Sequence, residues 1–386
     1  MSPLDTAPSR IAPGAIELLP IREIRWGLGT VSTLGDVLDT AGVRRAALLT
    51  TRSLVAERRL LAMVTAAGGE RIVGRVDELP AHVPGDRVAA AAGAIRELGA
   101  DAVVAFGGGS VIDAAKAVAA TVIDGGGRLP VIAVPTTLSG AEFSDHFGVT
   151  APLDGRPVKR THTRVDVTPA AVLLDGRLTS ATHAWLWAGS ALKAIDHAVE
   201  GLLGSAPRPV VDELALVGLR FFARRLPVSI DPGELDHRQA AQLAAWRCYY
   251  APASTTLGLS HRLGHVLGGT YGVPHALTSG ITLPPVLAAT ASRAPARAAQ
   301  IARALRGSGP LDLDAADATD DPAAAAALLT ELVNVVGLPT RLRDVGVDRT
   351  AVPAIADAVA DIYPDTAAQL GTDAHQRLHQ LVADAW

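Results

Sequence analysis

The chain has 386 residues, 49% hydrophobic and 19% charged, with a formal net charge of −4. That length exceeds one ordinary hydrophobic core and suits two domains, and the composition is globular rather than disordered. There is no basic excess to serve a nucleic-acid backbone, no uncharged apolar run of membrane-spanning length, and no basic-then-apolar opening of the signal-peptide kind. The single cysteine, Cys248, excludes an internal disulfide, fits a reducing cytoplasm and reads as a small buried hydrophobe.

In chain order, the apolar runs predict strands over 45–50, 71–76, 102–106, 131–135 and 172–175. Helical spacing fills the intervals over 55–67, 86–98 and 110–120. Strands alternating with helices imply a parallel sheet covered on both faces, a Rossmann-like α/β layer. From about residue 180 onward the periodicity is helical with few strand signals, so the expected division is an α/β dinucleotide-binding domain over 1–180 and an all-α domain over 181–386. The alanine-rich stretch 289–333, broken at Gly307-Ser308-Gly309-Pro310, reads as helix, loop and helix on the surface. No internal repeat is present.

Two loops carry ligand chemistry. Phe106-Gly107-Gly108-Gly109-Ser110 joins a strand to the helix bearing Asp113 and Lys116. Three glycines let backbone approach a ligand closely, and the helix start offers free N–H groups to a pyrophosphate. The run is neither the GxGxxG fingerprint nor a Walker loop. Pro135-Thr136-Thr137-Leu138-Ser139-Gly140-Ala141-Glu142 follows the next strand, where open α/β sheets bind ligands.

The helical half holds the second signal. Lys193 and His197 are four apart, as are His261 and His265, so each pair shares a helix face; His275 follows. Imidazoles in this layout suit a transition metal. A lysine ammonium does not, because it has no lone pair and repels a cation. His162, His183 and His237 read as ordinary surface residues. Lys159 and Arg164 read as a solvated face rather than a carboxylate clamp.

Taken together, these segments resemble the iron-dependent (group III) alcohol dehydrogenase family, related in fold to dehydroquinate synthase. The likeness runs from Trp26-Gly27-Leu28-Gly29 to Gly337-Leu338-Pro339-Thr340-Arg341-Leu342. His82-Val83-Pro84, Gly258-Leu259-Ser260-His261, the 262–269 segment and Leu342-Arg343-Asp344-Val345-Gly346 look like its maleylacetate reductase branch. The resemblance implies a homodimeric enzyme that uses NAD(P)H on a small molecule. It implies cofactor contacts at Gly107, Gly108, Gly109, Ser110, Asp113, Thr136 and Thr137, with Lys116 a less firm fit to the same motif. An aspartate that holds the ribose hydroxyls in NAD-preferring relatives is absent at Thr51, and with Arg52 beside it this leaves room for a 2′-phosphate.

The family's metal set is Asp, His, His, His. Its aspartate falls on Lys193 and its histidines on His197, His261 and His275, while His265 falls beside nicotinamide and substrate. Lysine departs from the family's aspartate and from the asparagine typical of the metal-free branch. The expectation is therefore a metal-independent reductase of a small, carboxylated ketone or enone, with Lys193, His197, His261, His265 and His275 catalytic. Two alternatives stand beside it. One is an iron or zinc alcohol dehydrogenase using His197, His261 and His275. The other is a non-redox lyase or cyclase working through a Lys193 Schiff base or base step.

Overall fold

The computed structural model describes residues 14–78, 83–153, 156–204, 207–250, 258–307, 321 and 323–386. His82 and the 308–310 part of the alanine-rich break lie outside the described residues. The first half runs β1 (Glu23–Trp26), α1 (Leu34–Thr40), β2 (Ala46–Leu49), α2 (Arg52–Ala56), α3 (Arg58–Gly68), β3 (Ile72–Val76), α4 (Gly85–Glu97), β4 (Ala102–Gly107), α5 (Gly109–Asp124) and β5 (Val131–Pro135). It continues through β6 (His146–Leu153), β7 (Arg156–Thr163) and β8 (Ala171–Leu174).

Six of these strands form one parallel sheet in the order β1-β8-β5-β4-β2-β3. Alternation along the strands sends successive side chains to opposite layers. Ala47, Leu49, Val103 and Ala105 pack beneath α4 and α5, while Ala46, Leu48, Val104 and Phe106 pack with α1 and α3. This double burial is why the runs over 102–106 and 131–135 are continuously apolar.

All the expected strands are present, shifted by a residue or so. The single helix expected over 55–67 is instead α2 and α3, parted at Glu57, whose ψ of 67° is not helical. Three strands were not foreseen. Strand β1 is an edge strand whose Trp26 is exposed, and β6 and β7 form an antiparallel hairpin of their own.

The remaining elements are helices: α6 (Ala184–Gly204), α7 (Pro209–Ser229), α8 (Leu235–Cys248), α9 (Leu259–Tyr271), α10 (His275–Thr290), α11 (Pro295–Arg306), α12 (Ala324–Val335), α13 (Val352–Ile362), α14 (Pro364–Ala367) and α15 (Ala374–Asp384). The alanine-rich pair is not merely a surface layer. Ile301 and Leu305 of α11 and Leu329 and Val333 of α12 are buried in the same core as Trp187, Leu192 and Phe222. Cys248 is buried there too, as expected. No helix among the described residues is long and apolar enough to cross a membrane.

Candidate active site

Two loops at the carboxyl ends of the central strands form a tight backbone cradle. Gly107 stands in register with Pro135, and Thr136 N donates to Gly107 O at 3.0 Å. A Cβ on Gly108 would lie 2.9 Å from Thr137 Cγ2, and one on Gly109 would lie 2.7 Å from Ser139 Oγ. The glycines therefore do more than free the backbone for a ligand: they let one loop lie against the other. Helix α5 starts at Gly109, with Gly108 as its N-cap and no side chain occupying the cap, so its first N–H groups face the cradle. The chain's own residues fit a dinucleotide pyrophosphate here.

The other expected cofactor residues divide. Thr51 lies two residues beyond β2 and caps α2 by accepting from Leu54 N at 3.3 Å; its neighbour Arg52 pairs with Glu78 at 3.1 Å. Asp113 accepts from Gly148 N at 3.3 Å, so it ties α5 to the hairpin. Lys116 is not a solvated helix residue. It is fully buried, and its Nζ donates to Ala141 O (2.5 Å), Ser144 Oγ (3.1 Å) and His146 O (2.8 Å), holding the second loop onto α5. Burial lowers its pKa to about 8 despite Asp113, Glu142 and Asp145 nearby. Burial also raises the Glu142 carboxyl to about 7.

The same loop is fastened to the helical half. Leu138 N donates to Ser190 Oγ of α6 at 3.0 Å, and Thr182 Oγ1 donates to Thr136 O at 2.7 Å. Ser190 lies one turn before Lys193 and two before His197, so α6 carries the chemistry directly away from the cradle.

Lys193 is buried, 4% exposed. A Cβ on Gly264 of α9 would stand 3.4 Å from Lys193 Nζ and 2.8 Å from Thr278 Oγ1. The amine therefore lies over the bare backbone between His261 and His265. Its field helps to lower the Asp196 carboxyl, although burial opposes that.

His261 is the most enclosed of the imidazoles. Its Nδ1–H donates to Glu200 Oε2 at 2.6 Å and lies 3.4 Å from Asp196 Oδ1, and its Nε2 lies 3.2 Å from His197 Nε2. Burial works against its charge, but Asp196 and Glu200 outweigh burial and raise it to about 9. His197 goes the other way. Burial, then the charges of His261 and Lys193, hold it well below the usual range. Glu200 also caps α9, accepting from Gly258 N at 2.9 Å and Ser260 N at 2.6 Å. Burial and the Asp196 charge push the Glu200 carboxyl up, and His261 and the Ser260 N–H pull it back.

The rings of His265 and His275 are 5.9 Å from each other, with His265 also 6.4 Å from Tyr363 and near enough for its charge to help lower His197. His275 is exposed, at the first position of α10. The 3.2 Å between His261 and His197 suits two ligands of one ion, and Glu200 on Nδ1 is the outer partner that metal-bound histidines commonly have. The rest of the set does not fit. By the resemblance the fourth ligand place falls on Lys193, whose amine is no carboxylate. Among the described residues, the groups whose ligand atoms converge within 4.8 Å are Asp196–Glu200–His261 and Asp357–His375–His379, not the three histidines.

Several site residues escaped the sequence reading. Asp196 accepts from Ser260 Oγ at 3.0 Å and from Ser279 Oγ, Tyr249 meets His197 edge-on with ring centres 4.2 Å apart, and Arg262 lies 4.6 Å over the Tyr363 ring. Glu200, one turn after His197 on the same helix, was the most accessible clue. The histidines read as surface residues are so: His162 and His183 are exposed and His237 bonds Glu234 at 3.0 Å. Arg164 is spent on Asp124 and Asp166, and the side chain of Lys159 lies outside what is described.

A backbone cradle for a pyrophosphate, joined by one helix to a pocket of imidazoles and an amine, defines a nicotinamide-dependent oxidoreductase. Residues 22–176 match the profile "Iron-containing alcohol dehydrogenase" and residues 187–381 match "Fe-containing alcohol dehydrogenase family, C-terminal". The chain belongs to the iron-containing alcohol dehydrogenase family. It is 32% identical over 344 residues to a maleylacetate reductase of Pseudomonas sp. (strain P51), covering 89% of this chain and 90% of that one. A maleylacetate reductase of Sphingobium indicum is 34% identical over 349 residues, 90% of this chain and 91% of its own. The crystal structure of maleylacetate reductase from Agrobacterium tumefaciens superposes with a TM-score of 0.82 at 26% identity, covering 97% of this chain and 99% of that one. This protein is accordingly an NAD(P)H-dependent reductase of the maleylacetate reductase-like kind.

Proposed function

We propose that the chain reduces a small, carboxylated ketone or enone without a metal ion, with the Lys193 ammonium in the metal's place. The observation that carries this reading is the buried Lys193 amine on the face of α6 that also bears His197, lying over Gly264 beside His265. Bound NAD(P)H supplies the hydride. This chain's residues must then receive the charge that develops on the substrate oxygen. A cation about 4 Å from that oxygen contributes roughly 4 kcal/mol at an effective dielectric near 20. Asp196 and Glu200, buried beneath the cluster, offset the positive charges of Lys193 and His261.

His265 is the proposed proton donor to the reduced substrate. His197, held neutral, and His261, held charged by Glu200, shape the pocket, and His275 closes its exposed side. Gly107, Gly108, Gly109, Ser110, Thr136 and Thr137 are the proposed cofactor cradle. Thr51 carries no carboxylate to repel a 2′-phosphate, so NADPH is accepted along with NADH.

The test follows NADPH oxidation with 2-oxo and enone mono- and dicarboxylates, on enzyme kept in chelator. Turnover there supports the reading. Turnover seen only with neutral ketones or alcohols removes the carboxylated substrate. Absence of any hydride transfer, with substrate trapped on Lys193 by borohydride, moves the assignment to Schiff-base lyase chemistry.

A further inference from the structure

A second cluster of ligand-type side chains lies outside the active site, where helices α13 and α15 cross. These helices meet through Ile355, Val359, Leu378 and Val382, all buried. At the solvent edge of that seam, His375 and His379 stand four apart on one face of α15, and Asp357 of α13 reaches between them. A single oxygen, Asp357 Oδ1, lies 3.2 Å from His375 Nε2 and 2.9 Å from His379 Nε2. The two rings are 4.5 Å apart, and the three ligand atoms all fall within 4.8 Å of one another.

We propose that Asp357, His375 and His379 form a binding site for a transition-metal dication of the zinc type that braces α15 against α13. Four-coordinate zinc with ligands at about 2.0–2.1 Å places neighbouring ligand atoms about 3.3 Å apart, close to the spacing already present. Two imidazoles and one carboxylate supply three ligands on one side, and water completes the shell from the open face. The donor set disfavours magnesium and calcium, which take oxygen ligands. The brace has a structural consequence near the active site. Helix α13 is followed directly by Tyr363, its C-cap, whose ring lies under Arg262 and beside His265, so fixing α13 fixes one wall of the pocket.

The test is calorimetric titration of the full chain with zinc chloride, comparing wild type with the His375→Ala/His379→Ala double variant. The active-site histidines are unchanged in both, so any zinc they take cancels. The expected result is one more zinc equivalent on wild type than on the double variant, and slower amide exchange in 374–384 with zinc in wild type only. Asp357→Asn is expected to weaken that equivalent tenfold or more. All three side chains are at the surface, and melting without zinc checks that each variant stays folded. Equal zinc uptake by wild type and double variant overturns the proposal, as does an Asp357→Asn protein with wild-type affinity.

Discussion

His261 Nε2 and His197 Nε2 lie 3.2 Å apart, and the two rings carry opposite tendencies: His261 is raised to about 9 and His197 is held well below the ordinary value. One ring therefore keeps its proton and donates it to the other. The cause sits behind them. Glu200 and Asp196 face His261, while His197 has burial, Tyr249 and the positive charges of His261 and Lys193 about it. In the metal set that the resemblance implies, two such nitrogens would face an ion. On the proposed reading the positive charge at this place comes from protein atoms, His261 and Lys193.

Glu200 is the hinge of that arrangement. It accepts from His261, Gly258 N and Ser260 N, joining α6 to the start of α9. Glu200→Ala leaves a buried charged imidazole and the α9 N–H groups without their acceptor. The expected loss is about 3–5 kcal/mol of stability by urea unfolding. A loss below about 1 kcal/mol would mean that water or Asp196 replaces the carboxylate.

The glycine cradle makes a steric prediction. A Cβ on Gly109 meets Ser139 Oγ at 2.7 Å and Ser139 Cβ at 3.1 Å, so Gly109→Ala must turn the Ser139 hydroxyl aside and shift its loop slightly, which disturbs the cradle. NADPH binding, followed by fluorescence titration, is expected to weaken at least tenfold, since each 1.4 kcal/mol is a factor of ten. Overall stability should change much less. Unchanged NADPH affinity would remove the triple glycine from the cofactor site.

Glu142 provides the pH prediction. Its buried Oε2 has no hydrogen-bond partner among the described residues, and burial raises its pKa from 4.5 to about 7. A raised folded-state pKa contributes stability that is complete below the unfolded value and is lost as pH rises through the folded one. Wild type should therefore lose about 3 kcal/mol relative to Glu142→Gln between pH 4.5 and about 7. Lys116, at about 8, stays largely charged across that window and does not mask the effect. Urea unfolding of both proteins at several pH values checks this, and parallel curves would contradict it.

Much of this was legible in the sequence, for physical reasons. Continuous apolar runs such as 102–106 and 131–135 mark strands buried on both faces, and Lys193 with the four histidines marked the pocket. Strand β1 was hidden because an edge strand of mixed burial lacks that pattern, and β6 and β7 were hidden by Pro152 and Pro157, which argue against strands. Asp196 and Glu200 look like solvated helix residues until α9, some 60 residues later, covers them. The resemblance supplied the motif around Lys116 but not its burial, which depends on a loop 25 to 30 residues away.

The role of Lys193 predicts a specific pattern of damage. Lys193→Ala should lower kcat by about a hundredfold to a thousandfold, the usual loss when one donor to a developing oxyanion is removed. NADPH affinity should be unchanged, because the cradle on β4 and β5 does not include Lys193. A variant keeping most of its turnover would assign the amine a structural part only.

The most direct measurement is turnover of enzyme stripped by chelator, with elemental analysis of the same sample. If Lys193 supplies the positive charge, protein with far less than one metal per chain turns over at the full rate, and added iron or zinc does not raise it. Activity that disappears with the metal and returns in proportion to one ion per chain would contradict the account.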